Sequence, residues 1–139
     1  MKLSFSKWTK IFLVSGCLVI SVLGFMVKLP SLFRHYDKEL HTAFYFLAAA
    51  FINLLFANKN IIRHVLIFGC LFLFGICIEY VQAYSNTFFH AKIHGRYDPE
   101  DVKSNLEGLV AFSAVWFIVV LLLFLNNKAT IKKTVETDA

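Results

Sequence analysis

The chain has 139 residues, of which 58% are hydrophobic and 17% charged, with sixteen Phe, a mean hydropathy of +0.66 and a formal net charge of +5. Soluble domains run at about 45–50% apolar and about 25% charged, and a fold this small has too little interior to hide such an excess. Disorder is excluded because so much apolar surface demands burial, and nucleic acid as a partner because Lys and Arg sit in short connectors, not in an aromatic-interleaved stripe.

The solvent that fits is lipid. Four apolar runs, at residues 11–27, 40–57, 65–82 and 106–125, follow in chain order. Each reaches the roughly 17–25 helical residues needed to cross a hydrocarbon core about 30 Å thick. No in–out alternation over short strands points to a β-barrel. The first run, after Lys2, Lys7 and Lys10, opens like a signal peptide, but Val27-Lys28-Leu29-Pro30 offers no small-residue cleavage site. It is expected to be retained. The prediction is an all-α integral membrane bundle of four transmembrane helices over residues 1–127, followed by a polar, frayed cytoplasmic tail at 128–139.

Four spans put the N-terminus, the second connector and the C-terminus on one side, with Lys2, Lys7, Lys10, Lys59, Arg63, Lys128, Lys132 and Lys133. The other side carries Lys28, Arg34, Lys38, Lys92, Arg96 and Lys103, in loops rich in Asp and Glu. Eight basic residues against six place both termini in the cytoplasm by the positive-inside rule. Tyr36, Tyr80, Tyr84 and Tyr97 then belong to the outer interface and Trp8 to the inner one. Cys17, Cys70 and Cys77 fall inside spans without a C-x-x-C motif and read as small core residues. Ala48-Ala49-Ala50 and Gly69 read as close-packing surface.

The polar residues gather at one end of the spans. Asp37, His41 and Tyr45 follow at i, i+4, i+8 on one helix face, and Gly75, Glu79, Gln82 and Asn86 make a second stripe. Asp98-Pro99-Glu100-Asp101 is a helix start, with Asp98 as N-cap, Pro99 at N1 and acids against the dipole. Counting on, Asp98, Asp101, Asn105 and Gly108 share a face, and Gly108 admits a close helix. Span alternation opens all three stripes on the same side of the membrane. The opposite ends are nearly all apolar, with Asn53 the main exception. An acid within a span costs roughly 2.5–3.5 kcal/mol at mid-bilayer, so Glu79 is either paired, with Arg96 or His41, or used. His41 fits a proton carrier or an oriented donor. His90 and His94 share a face if helical, yet Asn86-Thr87-Phe88-Phe89 around them is no metal cage, and neither metal nor cofactor is expected.

Asp37-Lys38-x-x-His41, Glu79-x-x-Gln82, Gly95-Arg96 and Asp101-x-x-x-Asn105-x-x-Gly108, in this order, resemble the VanZ-like family of small bacterial membrane proteins. The resemblance covers roughly half the chain, from Asp37 to about Gly108. The segment from Arg96 to Asp101 is slightly shorter than the family arrangement, and Asp101 rather than Asp98 has the right spacing to Asn105. The resemblance implies a multi-pass protein of the bacterial cytoplasmic membrane, and a phenotype class: low-level tolerance of teicoplanin-type glycopeptide antibiotics. It implies no reaction.

Two functions compete. In the first, an extracytoplasmic pocket of Asp37, Lys38, His41, Glu79, Gln82, Arg96, Asp101 and Asn105 engages a membrane lipid, a lipid-linked envelope precursor or a lipoglycopeptide, with Arg96 on phosphate or carboxylate. In the second, the protein is an intramembrane enzyme on a lipid-linked head group, with His41, Glu79 and Asp101 as catalytic candidates and no evident nucleophile. A channel fits poorly, since its path needs polar groups along its whole length.

Overall fold

The computed structural model describes residues 5–27, 34–90 and 97–137, with backbone alone for Arg34 and for 129–137. Its described residues form helices α1 (Lys7–Met26), α2 (Asp37–Ile52), α3 (Ile61–Phe88) and α4 (Pro99–Thr137). A 3₁₀ turn, Arg34–Tyr36, leads into α2, and a π-helical turn, Asn53–Ala57, ends it. All four helices are long and apolar enough to cross a membrane. The protein is an all-α, multi-pass membrane bundle.

Three of the four helices begin where the sequence supplies a side-chain cap, α2 instead following the 3₁₀ turn at Tyr36. The Ser6 side chain accepts from the Thr9 N–H, Asn60 Oδ1 from the Arg63 N–H at 3.0 Å and Asp98 Oδ1 from the Glu100 N–H at 2.9 Å. Asp98 and Pro99 therefore act at the start of α4 as their types predict. The Asn60 cap starts α3 four residues before the expected span, so Arg63 and His64 are helical rather than in the connector. The C-terminal segment also differs from the expectation, since α4 continues to Thr137. Neither Gly nor Pro occurs after Gly108, and the Lys, Ala and Glu of that segment are strong helix formers.

Contacts fix an up-down-up-down order. The start of α2 meets the end of α1, with Phe25 and His41 ring centroids 5.2 Å apart, and also the start of α4, where Thr42 Oγ1 donates to the Ser104 carbonyl at 3.1 Å. At the other end Lys10 Nζ donates to the Leu55 carbonyl at 2.7 Å and Arg63 Nη1 to the Phe56 carbonyl at 3.2 Å, placing two cations on the carbonyl end of α2. The tightest seam is α2 against α4. A Cβ on Gly108 would overlap the Thr42 carbonyl oxygen, so only glycine lets the helices approach this closely.

The core comprises Tyr45, Ala49, Leu71, Leu109, Phe112 and Trp116, contributed by α2, α3 and α4. Helix α1 buries no residue completely. Outward faces are apolar, with Phe12, Ile20, Leu47, Leu66, Leu73 and Phe117 all exposed, as the lipid-facing side of a membrane bundle requires. Tyr36, Tyr80 and Tyr84 are exposed near one end and Trp8 at the other. Two expectations about packing are corrected. Cys17, Cys70 and Cys77 are free and exposed, on the outward faces rather than in the core. Gly69 has open space where a Cβ would stand, so it makes no close helix contact, whereas Ala49 is buried as a packing residue.

Candidate functional site

The polar stripes of α2, α3 and α4 meet at the end of the bundle where α2 and α4 begin and α3 finishes. His41 Nδ1 and Asn105 Oδ1 lie 2.8 Å apart, both side chains buried. An amide oxygen only accepts, so Nδ1 carries the hydrogen in this pair and Nε2 of the neutral ring keeps its lone pair. Nε2 faces the Asp37 carboxylate at 3.9 Å, one helical turn back. Gly75 makes the third wall. A Cβ there would stand 2.9 Å from Asn105 Nδ2 and 3.1 Å from the Tyr45 hydroxyl, so the absent side chain lets both approach α3.

One turn further along α3, Glu79 is only 3% exposed. It lies within electrostatic reach of Asp101 and His41, and the Asp98 backbone N–H faces its carboxylate. At the rim, Lys38 Nζ pairs with Glu100 at 2.6 Å and stands 3.7 Å from both Asp98 and Asp101. One lysine thus faces three acids. Four buried polar atoms at this end have no hydrogen-bond partner among the described residues: Tyr45 OH, Glu79 Oε1, Asp101 Oδ1 and Asn105 Nδ2. An unsatisfied buried polar atom costs roughly 1–3 kcal/mol, more when charged, so four together mark a place shaped for something beyond the fold.

Of the sequence-derived site residues, Asp37, Lys38, His41, Glu79, Asp101 and Asn105 come together here. Gln82 has a different partner: its Nε2 donates to the Phe25 carbonyl at 2.7 Å, fastening the end of α1 to α3. Arg96 lies outside the described residues, as does His94, the second member of the His90–His94 pair. His90 is exposed beyond the end of α3, with φ 50.

A second polar cluster, at the other end of α2, escapes the sequence reading. His64 is buried, with Nδ1 2.8 Å from Asn53 Oδ1 and Nε2 3.1 Å from Ser113 Oγ. Its ring stacks on Trp116 at 4.1 Å with 3° between planes. Asn53 Nδ2 donates to the Ala49 carbonyl at 2.8 Å, so both of its polar atoms are used. The available signal was a histidine near the edge of an apolar run, a residue whose burial in lipid calls for partners.

Compared with protein-family models, with curated proteins and with solved structures, the chain matches none.

Proposed function

We propose that the Asp37–His41–Glu79–Asp101–Asn105 end of the bundle binds the polar head of a lipid or other amphiphile taken from the adjoining leaflet. The observation that carries this reading is the convergence, from three helices at one membrane end, of buried polar atoms with no hydrogen-bond partner among the described residues. A purely structural cluster would be expected to satisfy itself, as the His64 cluster does. An open groove of about 680 Å³ lies beside the cluster, sharing Lys38 with it and otherwise lined by Glu39, Glu100, Lys103, Glu107 and the apolar Phe46. Such a mixed-charge wall with an apolar member suits a head group joined to acyl chains.

The distribution of basic residues supports an extracytoplasmic position for this end, and the motif residues carry the VanZ-like reading. On that reading the protein belongs to the bacterial cytoplasmic membrane and modulates tolerance of teicoplanin-type antibiotics, its ligand being a membrane lipid, a lipid-linked envelope precursor or the lipoglycopeptide itself. Binding is favoured over catalysis because the nearby serines are engaged. Ser85 Oγ donates to the Gln82 carbonyl at 2.7 Å and Ser104 Oγ to the Glu100 carbonyl at 3.0 Å, leaving water as the available nucleophile for a His41/Glu79 acid–base reaction.

The test compares lipoglycopeptide susceptibility of a strain lacking the protein, complemented with wild type or with Glu79→Gln. Wild type alone should restore tolerance. Equal susceptibility of all three strains would refute the reading.

A further inference from the structure

Beyond the head-group reading, three observations at the α2–α4 junction point to a cation. The first is geometric. Ligand atoms of Asp37, His41 and Asp101 all lie within 4.8 Å of one another. These residues come from two helices held rigidly by the Gly108 contact, so their backbones are fixed by packing that owes nothing to a ligand.

The second observation concerns the histidine. A metal-binding histidine offers one ring nitrogen to the ion while the other donates its hydrogen to an outer partner that sets tautomer and orientation. His41 has this arrangement: Nδ1 is held by Asn105 Oδ1, and Nε2 faces Asp37 without reaching hydrogen-bonding distance. Asn105 is itself 1% exposed and seated against Gly75, so the outer support is rigid.

The third is charge. Asp37, Glu79, Asp98, Glu100 and Asp101 crowd one end of the bundle, and Lys38 is the permanent cation that the described residues set among them. Lys38 is committed to Glu100, its shortest contact at 2.6 Å. Glu79 Oε1 and Asp101 Oδ1, both buried, are left without a hydrogen-bond donor among the described residues, the Lys38 ammonium standing 3.7 Å from Asp101 Oδ1. Buried carboxylates are kept when they are paired or coordinate a metal.

We propose that Asp37, His41 and Asp101 form a zinc site, with His41 Nε2 and one oxygen from each aspartate as ligands. One nitrogen and two oxygens suit Zn²⁺, whose bonds to such ligands are about 2.0–2.2 Å, and the imidazole disfavours Mg²⁺ and Ca²⁺. Ligands on a tetrahedral ion of that size stand roughly 3.4 Å apart, so the set must draw in from a spread of up to 4.8 Å, and Asp37, the most exposed of the three, is the side chain with most room to rotate. Three protein ligands leave a fourth position, the pattern of zinc sites that act on or hold a further molecule. No metal is expected from the sequence, because the members of this set are far apart in the chain and only the α2–α4 seam unites them.

The experiment uses the full chain purified into lipid nanodiscs, stripped with a chelator, and titrated with Zn²⁺ alone by calorimetry, with metal content measured after dialysis. Wild type should retain about one Zn²⁺ per chain. His41→Gln and Asp101→Asn should each weaken binding about tenfold or more, as should Asn105→Ala through loss of the outer support. His90→Gln, at an exposed histidine beyond the end of α3, should leave it unchanged. Co²⁺ bound to wild type should give visible ligand-field bands of a low-coordinate nitrogen–oxygen site, a readout that needs no variant to fold. Wild type that binds no Zn²⁺ and yields no such bands overturns the proposal. So does Zn²⁺ binding that survives intact in a folded His41→Gln protein. Loss of zinc with antibiotic tolerance unchanged would remove the function above and leave the metal site standing.

Discussion

His41 and His64 each hold an asparagine side-chain oxygen at 2.8 Å through Nδ1, one near each end of α2. Around His64 the network closes. The second ring nitrogen meets Ser113, the asparagine amide is spent on a backbone carbonyl, and Trp116 covers the ring face. Around His41 the network stays open, with the second nitrogen turned to an aspartate and four buried polar atoms without a hydrogen-bond partner among the described residues. The same two-residue pair is thus a fastening in one place and a presented group in the other. What separates them is the company: a serine and an indole at one end, a set of carboxylates at the other.

That contrast can be broken or sharpened by substitution, and the largest effect should come from the seam that builds the open cluster. Gly108→Ala drives a methyl group into the Thr42 carbonyl, which backbone cannot yield, and should cost about 3 kcal/mol of stability in a denaturant titration in mixed micelles. A midpoint equal to wild type would show that α2 and α4 are not pressed together there. His64→Ala leaves Asn53 Oδ1 without its partner and removes the Trp116 stack, while Ser113 keeps its bond to the Leu109 carbonyl, so a loss of about 2 kcal/mol is expected by the same measurement. By comparison, His41→Gln acts where partners are already missing and should cost less than about 1 kcal/mol, while antibiotic tolerance and zinc retention fall. If His41→Gln proved as destabilising as His64→Ala, the distinction between fastening and presented group would collapse. The smallest effect belongs to Gln82→Ala, which loses one interhelical hydrogen bond worth about 0.6 kcal/mol. It should be seen as faster proteolysis at the end of α1 rather than as a shifted midpoint.

Much of this architecture is legible in the residue order because lipid imposes a strong rule: backbone polar groups must be satisfied within the segment. Four apolar runs therefore become four helices, and helical periodicity turns Asp37-His41-Tyr45, Gly75-Glu79 and Asp101-Asn105-Gly108 into facing stripes. Span ends are less legible because hydropathy marks where lipid begins, whereas capping marks where the helix does, as Asn60 and the extension of α4 to Thr137 illustrate. The His64 cluster is hidden because its serine partner sits 49 residues away, amid an apolar helix where one hydroxyl barely disturbs the pattern. Gln82 belongs to its stripe by periodicity, yet its long side chain reaches a carbonyl on α1, a choice made by packing that spacing does not encode. The outward Cys17, Cys70 and Cys77 went unread for a related reason: along an apolar span, core and lipid faces are composed of the same residue types.

Helix α1 carries one last implication. Its polar attachments run to main-chain oxygen, from Lys10 to Leu55 and, in reverse, from Gln82 to Phe25, with the Phe25 ring as its principal side-chain anchor against His41, Phe44 and Tyr45. A carbonyl is offered by any residue, so the greater part of α1 is answerable to bilayer thickness and to little else. An unrelated apolar segment of equal length, keeping the lysine at one margin and the phenylalanine at the other, should substitute for it.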